Sequence, residues 1–102
     1  VEESLPFNDF TLVFKVMGKM FCIINLIGDL RITLKCEPVK AIELRELYNS
    51  INPGYHTNKI HWNTIDIDGT ITDKLIYNWI DDSYQLIVNK LSSKLIKELS
   101  LK

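Results

Sequence analysis

From Phe10 the apolar positions recur every second residue. Phe10, Leu12, Phe14 and Val16 fall on one face of an extended segment, and Thr11, Val13 and Lys15 fall on the other. Met17-Gly18 then reads as a two-residue turn, with Gly18 supplying the conformational freedom. A second run sets Met20, Cys22, Ile24 and Leu26 against Lys19, Phe21, Ile23 and Asn25. After Gly28-Asp29 a third run places Leu30, Ile32, Leu34 and Cys36 inward and Arg31, Thr33 and Lys35 outward. Residues 10–36 are therefore predicted to form a three-stranded antiparallel meander. Residues 1–9 are acidic, contain Pro6 and show no period, so they read as a lead-in loop.

At Glu37-Pro38 the period changes. Proline suits the first helical position, and Glu37 suits the positive end of a helix. Leu44, Leu47, Tyr48 and Ile51 recur at helical spacing, predicting a helix over 37–51 that ends at Asn52-Pro53-Gly54. A second hairpin is expected over 55–67, from a short strand at Tyr55-His56-Thr57, a turn at Asn58-Lys59 and a strand from Ile60 to Ile67. Thr72 caps a last helix over 72–91, whose stripe includes Leu75, Ile76, Trp79, Ile80, Tyr84 and Ile87. Residues 94–102 read as a short amphipathic tail. The order is three strands, a helix, two strands and a helix (β3-α-β2-α). This predicts one α+β domain, an antiparallel sheet with helices packed on one face.

Composition narrows the function. Twelve Lys+Arg against thirteen Asp+Glu give a net charge of −1, so no global basic field advertises a polyanion. Cations are nevertheless sorted along the chain. Lys15, Lys19, Arg31 and Lys35 lie between Phe10 and Cys36 with only Asp29 among them, and Lys59 sits with His56 and His61 in a stretch free of acids. The two cysteines, Cys22 and Cys36, lack CxxC spacing and are expected to be reduced thiols. No signal-peptide pattern is visible and the apolar run Met20–Ile24 is far too short to span a bilayer, so the expected compartment is the cytoplasm, with no membrane partner.

The stretch from Asn52 to Gly69 is the densest in chemistry, holding both histidines, Trp62 and a Pro-Gly turn. His56 and His61 have no Cys, Asp or Glu at zinc-ligand spacing, and Asp66-Ile67-Asp68-Gly69 falls short of a calcium loop. Nor is there an activated-nucleophile motif. The expectation is a protein that is not an enzyme and carries neither metal nor cofactor. Pro53, Gly54, Tyr55 and Trp62 are expected to build the second hairpin, Trp62 against the last helix, and Trp79 to lie in the core.

Four segments carry a resemblance. Leu12 to Phe21 resembles the first hairpin of the MmcQ/YjbR family, and Leu34-Lys35-Cys36-Glu37-Pro38 its strand-to-helix junction. Pro53-Gly54-Tyr55-His56, with Asn58-Lys59 and His61-Trp62-Asn63-Thr64, is similar to its most distinctive motif, and Ile80 to Tyr84 to its last helix. The resemblance covers nearly the whole chain to about Leu91. It implies a secretion-chaperone-like α-β3-α-β2-α architecture and, from the label members commonly carry, DNA binding. The family opens with a further helix that would end just before Val1, so a leading segment is left open. Ile60 stands where relatives often place a basic residue, which weakens anion binding by the motif.

The resulting expectation is weak, nonspecific DNA binding by a mildly basic sheet face. Lys15, Arg31, Lys35, His56, Lys59 and His61 would meet phosphates, and Asn63 a base or sugar edge. The alternative is a protein-interaction module, such as a homodimer, that uses apolar side chains at Val13, Phe21 and Ile23 on that face.

Overall fold

The structure is a computed structural model and describes residues 1–4, 10–26, 28–55 and 57–91. Within these, six strands form one antiparallel sheet: β1 (Glu2–Ser4), β2 (Thr11–Val16), β3 (Lys19–Asn25), β4 (Arg31–Lys35), β5 (Ile51–Pro53) and β6 (Trp62–Asp66). Their spatial order is β1-β2-β3-β4-β6-β5. Helix α1 (Pro38–Leu47) joins β4 to β5, and α2 (Asp73–Asn89) follows β6. The predicted tail lies outside the described residues.

The meander forms as the alternation requires. Met17 and Gly18 both have positive φ, 49° and 79°, the pairing a tight two-residue hairpin demands. One detail departs from regular alternation. Phe14 pairs with Cys22 and Lys15 with Met20, so Phe21 is an extra residue in β3, a β-bulge. The bulge brings both Phe21 and Cys22 into the core on the helix side, where Phe21 meets Tyr84 of α2 edge-on at 5.3 Å between ring centres. Phe21 therefore does not lie on the outer face, contrary to strict period two.

Three other elements differ from the sequence reading. The lead-in contains β1, an edge strand whose three residues are too few to show a period; its partners are the backbone groups of β2. The first helix stops at Leu47, and Ile51 belongs to β5, paired with Ile65. An apolar residue at that position satisfies a helical stripe and a strand face equally, so spacing cannot separate them. Leu47, placed on the buried stripe by that spacing, is 72% exposed. Glu37 precedes α1 without a side-chain capping bond, while Pro38 opens it. Finally, the second hairpin uses β5 and β6; Tyr55 and Thr57 belong to no strand, His56 lies outside the described residues, and the turn expected at Asn58-Lys59 is present, closed by Asn58 on Ile60.

Both helices cover one sheet face. Ile76, Trp79 and Ile87 of α2 pack with Val16, Phe21, Cys22, Leu34, Ile51 and Ile65. Trp79 is core as expected, edge-on to Tyr48 at 5.7 Å. Thr72 caps α2, its Oγ1 accepting from the Leu75 N–H at 3.4 Å. The opposite face carries the row Val13, Ile23, Thr33, Thr64, aligned by the register across β2, β3, β4 and β6. All four are buried, and the Thr33 and Thr64 hydroxyls are hydrogen-bonded at 2.8 Å. The expected open polar face is closed at its centre, and Val13 and Ile23 are unavailable as surface contacts.

Candidate functional site: the 54–63 loop and its anchors

The loop between β5 and β6 is held at both ends by close backbone approach. Gly54 N–H donates to the Trp62 carbonyl at 2.8 Å, and Tyr55 N–H donates to Thr64 Oγ1 at 2.9 Å. A Cβ on Gly54 would stand 2.1 Å from Thr57 Oγ1 and 2.6 Å from Trp62 Cβ, so only glycine fits. Trp62 is buried, and it alternates with the α1-facing Asn63, which puts it on the face away from α2 rather than against that helix. Asn58 closes a small turn by accepting from Ile60 N–H at 2.8 Å.

Arg45 of α1, not singled out by sequence reasoning, organises this loop. Its Nε donates to Asn63 Oδ1 at 2.6 Å, and its Nη2 donates to the carbonyls of Lys59 and Trp62, the latter at 3.2 Å. Asn63 is buried, and its Nδ2 donates back to the Ala41 carbonyl at 3.2 Å. One guanidinium thus satisfies three acceptors, a task suited to its planar fork. No sequence signal exposes this, because Arg45 is eighteen residues from Asn63.

The sequence-derived site residues are largely scattered or engaged. Asn63 is inside, bonded to Arg45 and Ala41, and cannot reach a base edge without leaving both partners. Lys59 is exposed, but its Nζ donates to the Gly54 carbonyl at 2.8 Å. Arg31 faces its cross-strand neighbour Asp66 with Nε 3.2 Å from Oδ1. Lys35 ends β4, where burial first and then the neighbouring Lys90 ammonium lower its pKa from the usual lysine value. Lys15 is half-buried on β2, near the far end of the sheet order from β6. The His61 carbonyl accepts from Cys36 N–H at 2.7 Å. His56 lies outside the described residues. Tyr55 is partly exposed and Pro53 pairs with Asn63; Pro53, Gly54 and Trp62 shape the turn through that pairing and the Gly54 N–H bond to the Trp62 carbonyl.

A second buried polar anchor joins α2 to the bulge. Ser83 is fully buried; its hydroxyl donates to the Phe21 carbonyl at 2.6 Å and accepts from Lys35 N–H at 2.9 Å. The sequence did contain a signal for it. Ser83 lies four residues after Trp79 and four before Ile87, a small polar residue at a core position of the helix. On another edge, Asp68 gathers Thr70 and Ser50. It accepts from Thr70 Oγ1 at 2.6 Å, Thr70 N–H at 3.0 Å and Ser50 Oγ at 2.9 Å. Those bonds, the Thr70 hydroxyl first, hold its carboxyl below the usual aspartate pKa. Burial pushes the Cys22 thiol up to about 11 and raises Cys36 as well, so neither is a ready thiolate.

Among the described residues no three His, Cys, Asp or Glu side chains gather at metal-binding distance, and no helix is long and apolar enough to cross a membrane. The fold and this arginine-held loop define a small α+β domain, a six-stranded antiparallel sheet with two helices on one face. The chain belongs to the YjbR family, whose model matches residues 1–86. It is 38% identical over 95 residues to the protein YbdF of Escherichia coli O157:H7, a match covering 92% of this chain and 78% of that one. Against YjbR of E. coli K12 the identity is 42% over 60 residues, 59% of this chain and 51% of the relative. The crystal structure of Deinococcus radiodurans protein DR2400, with its DUF419 domain, superposes with a TM-score of 0.90 at 40% identity, covering 97% of this chain and 77% of that one.

Proposed function

We propose that the domain is a non-enzymatic interaction module that contacts protein, and that a second copy of the chain is its partner. The observation that carries this is the outer side of α1. Only Ala41 of that helix is fully buried, while Val39 and Ile42 are 70% and 54% exposed, one turn apart on the solvent side. Arg45 brings the loop to the same helix, and there Ile60 is 62% exposed beside Lys59. Apolar side chains grouped on a helix and an adjoining rigid loop form the kind of patch that marks a contact surface. Glu43 and Glu46 lie on the exposed side of α1 and Lys59 on the loop, so the patch carries both signs of charge. A twofold arrangement can match acid with base across such a surface.

DNA binding has less support. Asn63, Arg31 and Lys59 already serve internal partners, and the row Val13, Ile23, Thr33, Thr64 is buried. Sedimentation velocity from about 5 to 500 µM tests the dimer, a range that brackets weak interfaces of modest area. The sedimentation coefficient is expected to rise with concentration in the wild type and to stay at the monomer value in Ile42→Glu, an exposed substitution. A wild type that remains monomeric throughout overturns the second-copy reading. Salt-sensitive shifts in the anisotropy of a labelled duplex, lost in Lys59→Ala, would restore the nucleic-acid reading in its place.

A further inference from the structure

On its inner side α1 leaves a cleft against α2 and the ends of β4 and β6, with a volume of about 280 Å³. That is close to the lower bound, roughly 300 Å³, of pockets that hold small molecules. Its floor is apolar, formed by Leu34, Leu44, Ile51, Ile65, Trp79 and Leu86. The charged residues lining it, Lys35, Glu37, Lys40 and Asp82, are two bases and two acids, so the lining carries no net charge. Lys40 and Asp82 already meet at 3.2 Å. Lys35 is the register partner of Trp62, on the sheet face away from α2, and adds no cation to the floor. One buried polar group remains in the lining. Asn63 is 3% exposed, and its amide has more hydrogen-bonding capacity than the fold uses. Its Oδ1 accepts from Arg45 Nε at 2.6 Å, and its Nδ2 donates one hydrogen to the Ala41 carbonyl at 3.2 Å. A second Nδ2 hydrogen and a second Oδ1 lone pair have no partner among the described residues.

We propose that this cleft binds a small uncharged aromatic amide, its ring against Leu44, Trp79 and Leu86 and its amide at Asn63. The apolar floor supplies the driving force, because ring and floor leave water together. Trp79 adds an aromatic surface for the ring. The balanced lining disfavours a charged head. An ion carried onto this floor sheds its water and meets a like charge for every opposite one. The buried Asn63 selects the amide. Arg45 donates to its oxygen and so polarises its N–H groups, which strengthens the remaining one as a donor to a ligand carbonyl. A ligand N–H can return a bond to the second Oδ1 lone pair. A volume this small admits one ring with a short substituent. Val39, Ile42 and Ile60 of the protein-contact patch do not line the cleft, so the two proposals stand or fall separately.

The test is a series of near-identical shape, benzamide, benzoate and benzamidinium, titrated into the isotope-labelled protein and followed by NMR. Benzamide should give saturable shifts at Leu34, at Leu86, at the Trp79 indole and at the Asn63 side-chain amide, with a Kd on the order of 1 mM. Benzoate and benzamidinium share its size but carry a negative and a positive charge, and each should bind at least about tenfold more weakly. Leu86→Trp, which fills the cleft from a half-buried position on α2, should abolish the benzamide shifts. Absence of saturation with benzamide up to about 20 mM overturns the proposal. So do shifts centred elsewhere, a silent Asn63 amide, either ion matching the amide in affinity, or a folded Leu86→Trp that still binds. The comparison of the three ligands uses the wild type alone, so it holds even where the variant fails to fold.

Discussion

Replacing Ser83 by alanine removes one oxygen atom from a fully buried position, and the consequences are set by what that oxygen joins. The bulge at Phe21 displaces the Phe21 carbonyl from the β3 ladder, and Lys35 N–H lies past the last pair of the β3–β4 register, Cys22 with Leu34. The Ser83 hydroxyl serves both, donating at 2.6 Å and accepting at 2.9 Å. In Ser83→Ala a buried acceptor and a part-buried donor lose their partner together. A buried polar group left unmade costs about 1–3 kcal/mol. Alanine recovers up to about 0.5 kcal/mol through helix propensity. The expected net loss is therefore about 2–4 kcal/mol, a large fraction of the roughly 5–15 kcal/mol that holds a domain folded. At about 4–8 °C per kcal/mol for a chain of this size, the midpoint should fall by roughly 8–32 °C. Urea and thermal unfolding followed by far-UV circular dichroism measure both quantities, with an unchanged urea m-value confirming that the native state is the one affected. A loss below about 0.5 kcal/mol, the scatter of ordinary surface substitutions, would refute the bridging role.

Three further outcomes are expected. Gly54→Ala should destabilise by about 1–3 kcal/mol, because its Cβ would collide with Thr57 and Trp62; unchanged urea unfolding would show that the loop shifts freely. Arg45→Lys should release the 58–62 loop to hydrogen exchange almost as fully as Arg45→Ala, since a point ammonium cannot serve Asn63, Lys59 and Trp62 at once; full protection in the lysine variant would contradict this. Asp68 should titrate below the ordinary aspartate value when followed by carboxyl carbon NMR, and Thr70→Ala should return it upward. The sign follows from linkage. A depressed folded pKa stabilises above the unfolded value, and that contribution disappears as pH falls through the folded one, so acid unfolding of Thr70→Ala should be less steep in that window.

Periodicity alone determined much of this protein. The meander, its Met17-Gly18 turn, the junction at Glu37-Pro38, the Thr72 cap and the apolar stripe of α2 all follow from local alternation and local chemistry, because each depends on residues within one or two turns of one another. The four family motifs were legible for the same reason. What tertiary structure decided was the choice of partners. Whether Ile51 continued a helix or joined Ile65 depended on a strand fourteen residues away. Whether Phe21 faced outward depended on a bulge relative to β2 and on the Tyr84 ring. The candidate site changed most. Asn63, Lys59 and Arg31 look free in sequence because their acceptors are distant backbone carbonyls and side chains. A side chain's type announces that it needs a hydrogen-bond partner or a counter-charge, but only the folded chain determines which group supplies it and so which residues remain for a ligand.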